Sequence, residues 1–162
     1  MAKKIIRHEL VEVAIPKGST LTRFQIPDLP NLRNVHLWGV QVYTVDQVAK
    51  SIISLNPVLP HTAVLHNSFI TFVNYGGKEF LKQAPSIIFN TIQANLNTST
   101  NWNELDTKSF TGQKVNYPKS YIEFTAAPAS AVTDQVFLFS VYYSLPLAQE
   151  AKEDNYSFNN KG

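Results

Sequence analysis

The sequence predicts an all-β protein folded as a two-sheet antiparallel β-sandwich. Three observations carry this. Its apolar stretches are short and rich in β-branched and aromatic residues, and they follow one another without the alternating helical segments of a βαβ order. Asn, Ser and Thr make up about a quarter of the chain and Pro (9) outnumbers Gly (6), which favours turns and long loops. Aromatic residues reach 12%, with 10 Phe and 7 Tyr. Aromatics suit strands, whereas long helices carry more Ala, Glu, Lys and Arg.

Each element has its own signal. Glu9 to Ile15 places Val11, Val13 and Ile15 on one face, and Pro16-Lys17-Gly18-Ser19 closes this first strand. Arg23 to Ile26 is a short second strand with Phe24 and Ile26 on one side, ended by Pro27 to Asn31. Asn34 to Val45 is apolar on both faces, the pattern of a central strand covered on both sides, with a bulge expected at Gly39. Asp46 to Leu55 reads either as a short helix capped by Asp46 or as an irregular loop. Ala63 to Tyr75 is a long strand followed by a Gly76-Gly77 turn, and Ser86 to Ile92 is another strand. Asn95 to Asn103 is a polar loop. Ser120 to Thr125 is a strand, Ala126 to Asp134 a small-residue loop, and Gln135 to Leu145 the strongest strand, with Phe137, Phe139 and Val141 expected in the core.

These segments amount to about seven or eight strands, which need cover and find it in a second sheet. Immunoglobulin-like domains are shorter, about 100 residues, and true ones carry a Cys…Trp…Cys pattern. This chain has 162 residues and no cysteine, so a jelly roll is the favoured sandwich. The expected organisation is one domain over residues 1–146 and a polar C-terminal tail or arm over 147–162.

Composition narrows the function. Charged residues are only 16% and the formal net charge is +2, against a charged fraction of about 25% in ordinary soluble domains. That speaks against coiled coils, charged disordered tails and most nucleic-acid-binding modules. Without cysteine there is no disulfide scaffold, thiolate metal site or thiol nucleophile. The basic start, Met1 to Arg7, lacks the apolar run of a signal peptide, and no segment approaches the ~20 apolar residues of a membrane helix.

No constellation of ionisable groups nominates catalysis. His36 and His66 alternate with apolar residues inside strands and read as ordinary strand histidines. His61 and His66 lack a neighbouring carboxylate to complete a metal site. Glu104 and Asp106 lie near Trp102 without further support for a glycosidase pair. The expectation is therefore no enzyme activity, no cofactor, no metal and no small-molecule substrate. Lys3, Lys4 and Arg7 are candidates for contact with a neighbouring subunit or an anionic surface. Tyr156 and Phe158 are candidates for an arm that docks on a neighbour. Trp102, flanked by Asn101 and Asn103, is a candidate glycan-stacking site in an alternative reading as a carbohydrate-binding or adhesion module, although folding of Trp102 back onto the sandwich is the plainer reading. Trp38 reads as structural.

Leu21-Thr22-Arg23-Phe24-Gln25-Ile26-Pro27-Asp28-Leu29-Pro30-Asn31-Leu32-Arg33 runs into Val35 to Tyr43, and Tyr117-Pro118-Lys119-Ser120-Tyr121-Ile122 follows later. These segments, about a third of the chain, resemble small virion proteins of tailless icosahedral bacteriophages with jelly-roll capsids. The resemblance implies a structural virion protein. In that group the major capsid protein usually has two jelly rolls and the five-fold vertex protein one, so it implies a penton or minor capsid subunit. The implied partners are further copies, as a homo-oligomer such as a pentamer, and other capsid proteins. Contact of the basic N-terminus with a viral membrane or genome is the corresponding expectation, and the implied location is the virion.

Overall fold

The structure is a computed structural model, and it describes residues 5–47, 51–52, 67–90, 103–104, 113–130 and 132–146. Among these residues there is no α-helix. The strands are β1 (Arg7–Ile15), β2 (Arg23–Gln25), β3 (His36–Val42), β4 (Val45–Asp46), β5 (Ser51–Ile52), β6 (Ser68–Val73), β7 (Glu79–Pro85), β8 (Asn103–Glu104), β9 (Tyr121–Phe124) and β10 (Gln135–Ser144). One sheet has the order β1-β10-β3-β8 and the other β2-β9-β6-β7, with β4 and β5 as a separate pair. All pairings are antiparallel.

The alternation in β1 does what its sequence requires. Val11, Val13 and Ile15 are buried and the residues between them are exposed. β1 pairs along its whole length with β10, from Arg7 opposite Tyr143 to Ile15 opposite Gln135. From β10, Phe137, Phe139 and Val141 point into the same core, where Phe139 and Phe72 are fully buried. Phe139 sits between Phe72 and Phe137, with ring centroids 6.4 and 6.0 Å away. Such aromatic pairs add about 0.5–1.5 kcal/mol beyond the area they bury.

The expected bulge in β3 lies one residue from Gly39. Gly39 faces Tyr142 and Leu37 faces Tyr143, so Trp38 is the extra residue. One extra residue reverses the side-chain parity. Val35 and Leu37 enter the core before the bulge, and Val40 and Val42 after it. That is why the sequence is apolar on both faces. Trp38 is half-buried on the outside and donates from Nε1 to Ser144 Oγ at 2.8 Å.

The back of β10 is covered as well. Val136 and Leu138 pack with Val45 and Tyr43. Beyond the end of β3, Tyr43 N still donates to Leu138 O at 3.0 Å. The Gln47 side-chain amide then takes the place of a strand neighbour. Its Nε2 donates to Val136 O at 2.9 Å, and Val136 N donates to its Oε1 at 2.8 Å. Buried backbone groups need partners of this kind.

Two sequence expectations change. Ser86–Phe89 is a 3₁₀ turn, not the start of a strand, because Ser86 and Phe89 are buried three residues apart while Ile88 is exposed. The strand lies just before it, as β7, where a register break against β6 hides the period-two pattern. In place of a helix from Asp46, Val45 and Asp46 pair with Ile52 and Ser51. The turn at Gly76-Gly77 is confirmed, joining β6 to β7. Gly77 takes φ +81°, a conformation that suits glycine, and its N–H donates to Asn74 O at 3.0 Å.

Replacing Phe139 by Ala is expected to cost about 3–5 kcal/mol. Urea unfolding of the two proteins measures this, and a cost below about 1 kcal/mol would contradict the central place of this ring.

Candidate interaction surfaces

The two segments that carry the resemblance are neighbours in space. Arg23 faces Glu123, Phe24 faces Ile122 and Gln25 faces Tyr121 across the β2–β9 ladder. Ile26 N extends it by donating to Ser120 O at 2.9 Å. Ser120 is held in turn, because its Oγ accepts from Val73 N at 3.0 Å and donates to Asn116 O at 2.8 Å. Phe24, Ile26, Leu32, Tyr117 and Ile122 are all core residues. These motifs thus build one side of the sandwich and its turns.

At one end the sandwich opens into a polar cleft of ≈ 440 Å³. Arg7 and Glu9 follow the inward parity of Val11 but are only half-buried, and they line this cleft. Tyr143 and Leu145 from β10 and the Pro30–Arg33 segment form the other walls. Arg33 is bound to both carboxylate oxygens of Asp28, with Nε to Oδ1 at 3.2 Å and Nη2 to Oδ2. This pairing lowers the Asp28 pKa. Two guanidinium groups and a carboxylate thus line one cleft, with one guanidinium already held by Asp28. Behind it, Tyr117 is buried with no hydrogen-bond partner for its hydroxyl among the described residues. Burial pushes its pKa up, with smaller contributions from Tyr75, Glu9 and Tyr143.

The outer face of the β2-β9-β6-β7 sheet carries a charged network. Arg23 lies 4.1 Å above the Tyr121 ring and donates to Glu123 Oε1 at 3.0 Å. Gln83 Nε2 donates to the other Glu123 oxygen at 3.1 Å. Those two bonds, from Gln83 first and Arg23 second, hold the Glu123 carboxyl below its ordinary pKa. Gln83 reaches Glu123 from a strained position at φ +45°, where its own N–H donates to Thr71 Oγ1 at 3.0 Å. A groove of ≈ 330 Å³ runs beside this network over Phe69, Phe124 and Thr125.

The outer face of the opposite sheet is aromatic and self-bonded. Tyr43 Oη lies 2.9 Å from Ser140 Oγ, and Tyr142 Oη donates to Gln41 Oε1 at 3.1 Å. Burial pushes the Tyr142 pKa up to about 12, with the Tyr43 hydroxyl adding to the shift. Tyr43 and Tyr142 thus bond to Ser140 and Gln41, and Trp38 to Ser144, all three of these polar partners being buried.

Of the residues singled out by sequence, Arg7 lines the end cleft. Lys3, Lys4, Tyr156, Phe158, Trp102 and Asn101 lie outside the described residues, as do His61, His66, Asp106 and the whole 147–162 segment. Asn103 is placed by its backbone in β8, opposite Val40. Sequence reasoning missed the Arg33–Asp28 clasp and the Arg23–Glu123–Gln83 network. The first was readable from the i, i+5 charges around Pro30. The second joins residues 100 positions apart and left no local signal. Among the described residues, no group of three or more His, Asp or Glu side chains is placed to hold a metal ion. No described helix is long and apolar enough to cross a membrane.

No family model, curated protein or solved structure matches the chain.

Two outcomes follow from these groups. Tyr117→Phe is expected to be neutral or stabilising, because it removes a buried hydroxyl that has no partner, and denaturant midpoints measure this. Glu123 is held ionised in the folded state, so its contribution is present near neutral pH and is lost as pH falls through the acidic range. Thermal midpoints between pH 7 and 3 should fall less steeply in Glu123→Gln. The difference at neutral pH should stay within about 1 kcal/mol, since the pair is partly exposed and screened.

Proposed function

We propose that the chain is a structural subunit of an icosahedral phage shell, a single jelly roll that forms the five-fold vertex or another minor part of the capsid. The order of the strands carries this reading. With the β4–β5 pair set aside, every connection along the chain crosses from one sheet to the other except β6 to β7, which stays within one sheet. Two interleaved four-stranded sheets connected in this way support the jelly-roll reading, an architecture used by viral capsid and lectin domains.

The surfaces support the same reading. The chain enters β1 and leaves β10 side by side, with Arg7 opposite Tyr143, next to the polar end cleft. An arm from a neighbouring copy, carrying Tyr156 and Phe158, has a charged and aromatic seat there. A ring is built from such head-to-tail contacts, in which two different surfaces of one subunit meet. Low overall charge suits large buried interfaces, because interface cores are depleted of charged residues.

The mass of the purified native assembly tests the proposal. A closed ring of five, or co-purification with virus particles, is the expected result. A strictly monomeric chain that is absent from purified particles would overturn it.

A further inference from the structure

We propose that β1 is the site of a two-fold contact with a second copy of this chain, the two β1 strands pairing antiparallel about Leu10. The four outer edges of the two sheets are not equivalent. β2 has three residues and β8 two. β7 breaks register, holds Gln83 at φ +45° and ends at Pro85. Short strands, bulges and prolines all discourage pairing with another chain. β1 has none of these. It runs nine residues without Pro, Gly or bulge, in unbroken register with β10. Among the described residues no backbone hydrogen bond joins its outer edge to another segment.

The side chains select the occupant and the register. His8, Leu10, Glu12 and Ala14 are exposed on the outward face, and Leu10 keeps 50% of its surface in solvent in mid-strand. When the two sheets continue into one another, opposed residues must lie on the same face, so the two-fold axis passes through a residue. An axis at Glu9 or Glu12 sets a carboxylate against its own copy. An axis at His8 or Val13 leaves only a short overlap. An axis at Val11 sets Leu10 against Glu12. An axis at Leu10 instead brings Leu10 against Leu10 on the exposed face, with the imidazole of His8 against the carboxylate of Glu12 on either side of it, and sets Glu9 beside Val11 only on the inward face. Opposed apolar pairs, and an imidazole that donates a hydrogen bond to an opposed carboxylate, stabilise antiparallel strands.

This contact goes beyond the shell-subunit reading. It is isologous and closes at two copies, unlike the head-to-tail contact of a ring. Native mass spectrometry and sedimentation of the full chain test it. The wild type should form dimers, or even-numbered assemblies if rings also form. Leu10→Lys should weaken this association about tenfold or more, with an unchanged circular dichroism spectrum and thermal midpoint because the residue is exposed. His8→Glu and Glu12→Lys should each weaken it. The double variant His8→Glu/Glu12→Lys should associate with itself again and refuse to mix with wild type, a result only the Leu10 register gives. A monomer, or a dimer that none of these substitutions changes, overturns the proposal. A five-fold ring unaffected by Leu10→Lys also overturns it, while leaving the shell-subunit reading in place.

Discussion

The structure depends on one strand being covered on both faces. β10 supplies Phe137, Phe139 and Val141 to the core between the sheets. Its other face carries Val136 and Leu138, which need a second cover. A strand with apolar residues on both sides cannot lie at an exposed surface or an edge. β10 therefore sits between β1 and β3, and the Tyr43–Gln47 segment must fold over its back. The Gln47 amide completes that arrangement by pairing with Val136 where no strand backbone is available. Without it, a buried N–H and C=O would be left without partners, at a cost of about 1–3 kcal/mol each.

Two irregularities adapt regular strands to this core. The extra residue at Trp38 moves β3 from one inward parity to the other, so that Leu37 and Val40 both reach the core. The break at Gln83 ends clean pairing of β7 and turns the Gln83 amide toward Glu123. The first device serves packing. The second both fixes a surface charge network and blunts an edge. β1 has no such device, and the contrast between these edges gives the molecule a preferred direction for contact.

The surfaces divide by chemistry. The aromatic outer face of the β1-β10-β3-β8 sheet bonds internally through Tyr43, Ser140, Tyr142 and Gln41. The end cleft is different, since it combines Arg7, Glu9 and the clasped Arg33 beside the points where the chain enters and leaves the sandwich. The β2–β9 ladder, which joins Leu21–Arg33 to Tyr117–Ile122, belongs to the other sheet.

The sequence alone determined the all-β class, the strands at residues 9–15, 23–26 and 135–145, and the burial of Val11, Phe24, Phe139 and Val141. These rest on local periodicity and side-chain chemistry, which each segment carries by itself. It also indicated a break near Gly39 and the Gly76-Gly77 turn. It did not reveal β7, whose bulge destroys the alternation, and it mistook Ser86–Phe89 for a strand because Ile87 and Ile88 favour one. Of the cleft, only Arg7 was legible. Glu9 became part of it because the Pro30–Arg33 segment and the end of β10 come together beside β1, and Arg23 met Glu123 because distant strands pair in one register. Such features were decided by tertiary structure alone. Strand order, register and the ends of sheets follow from how many segments share one core, and no single segment encodes that.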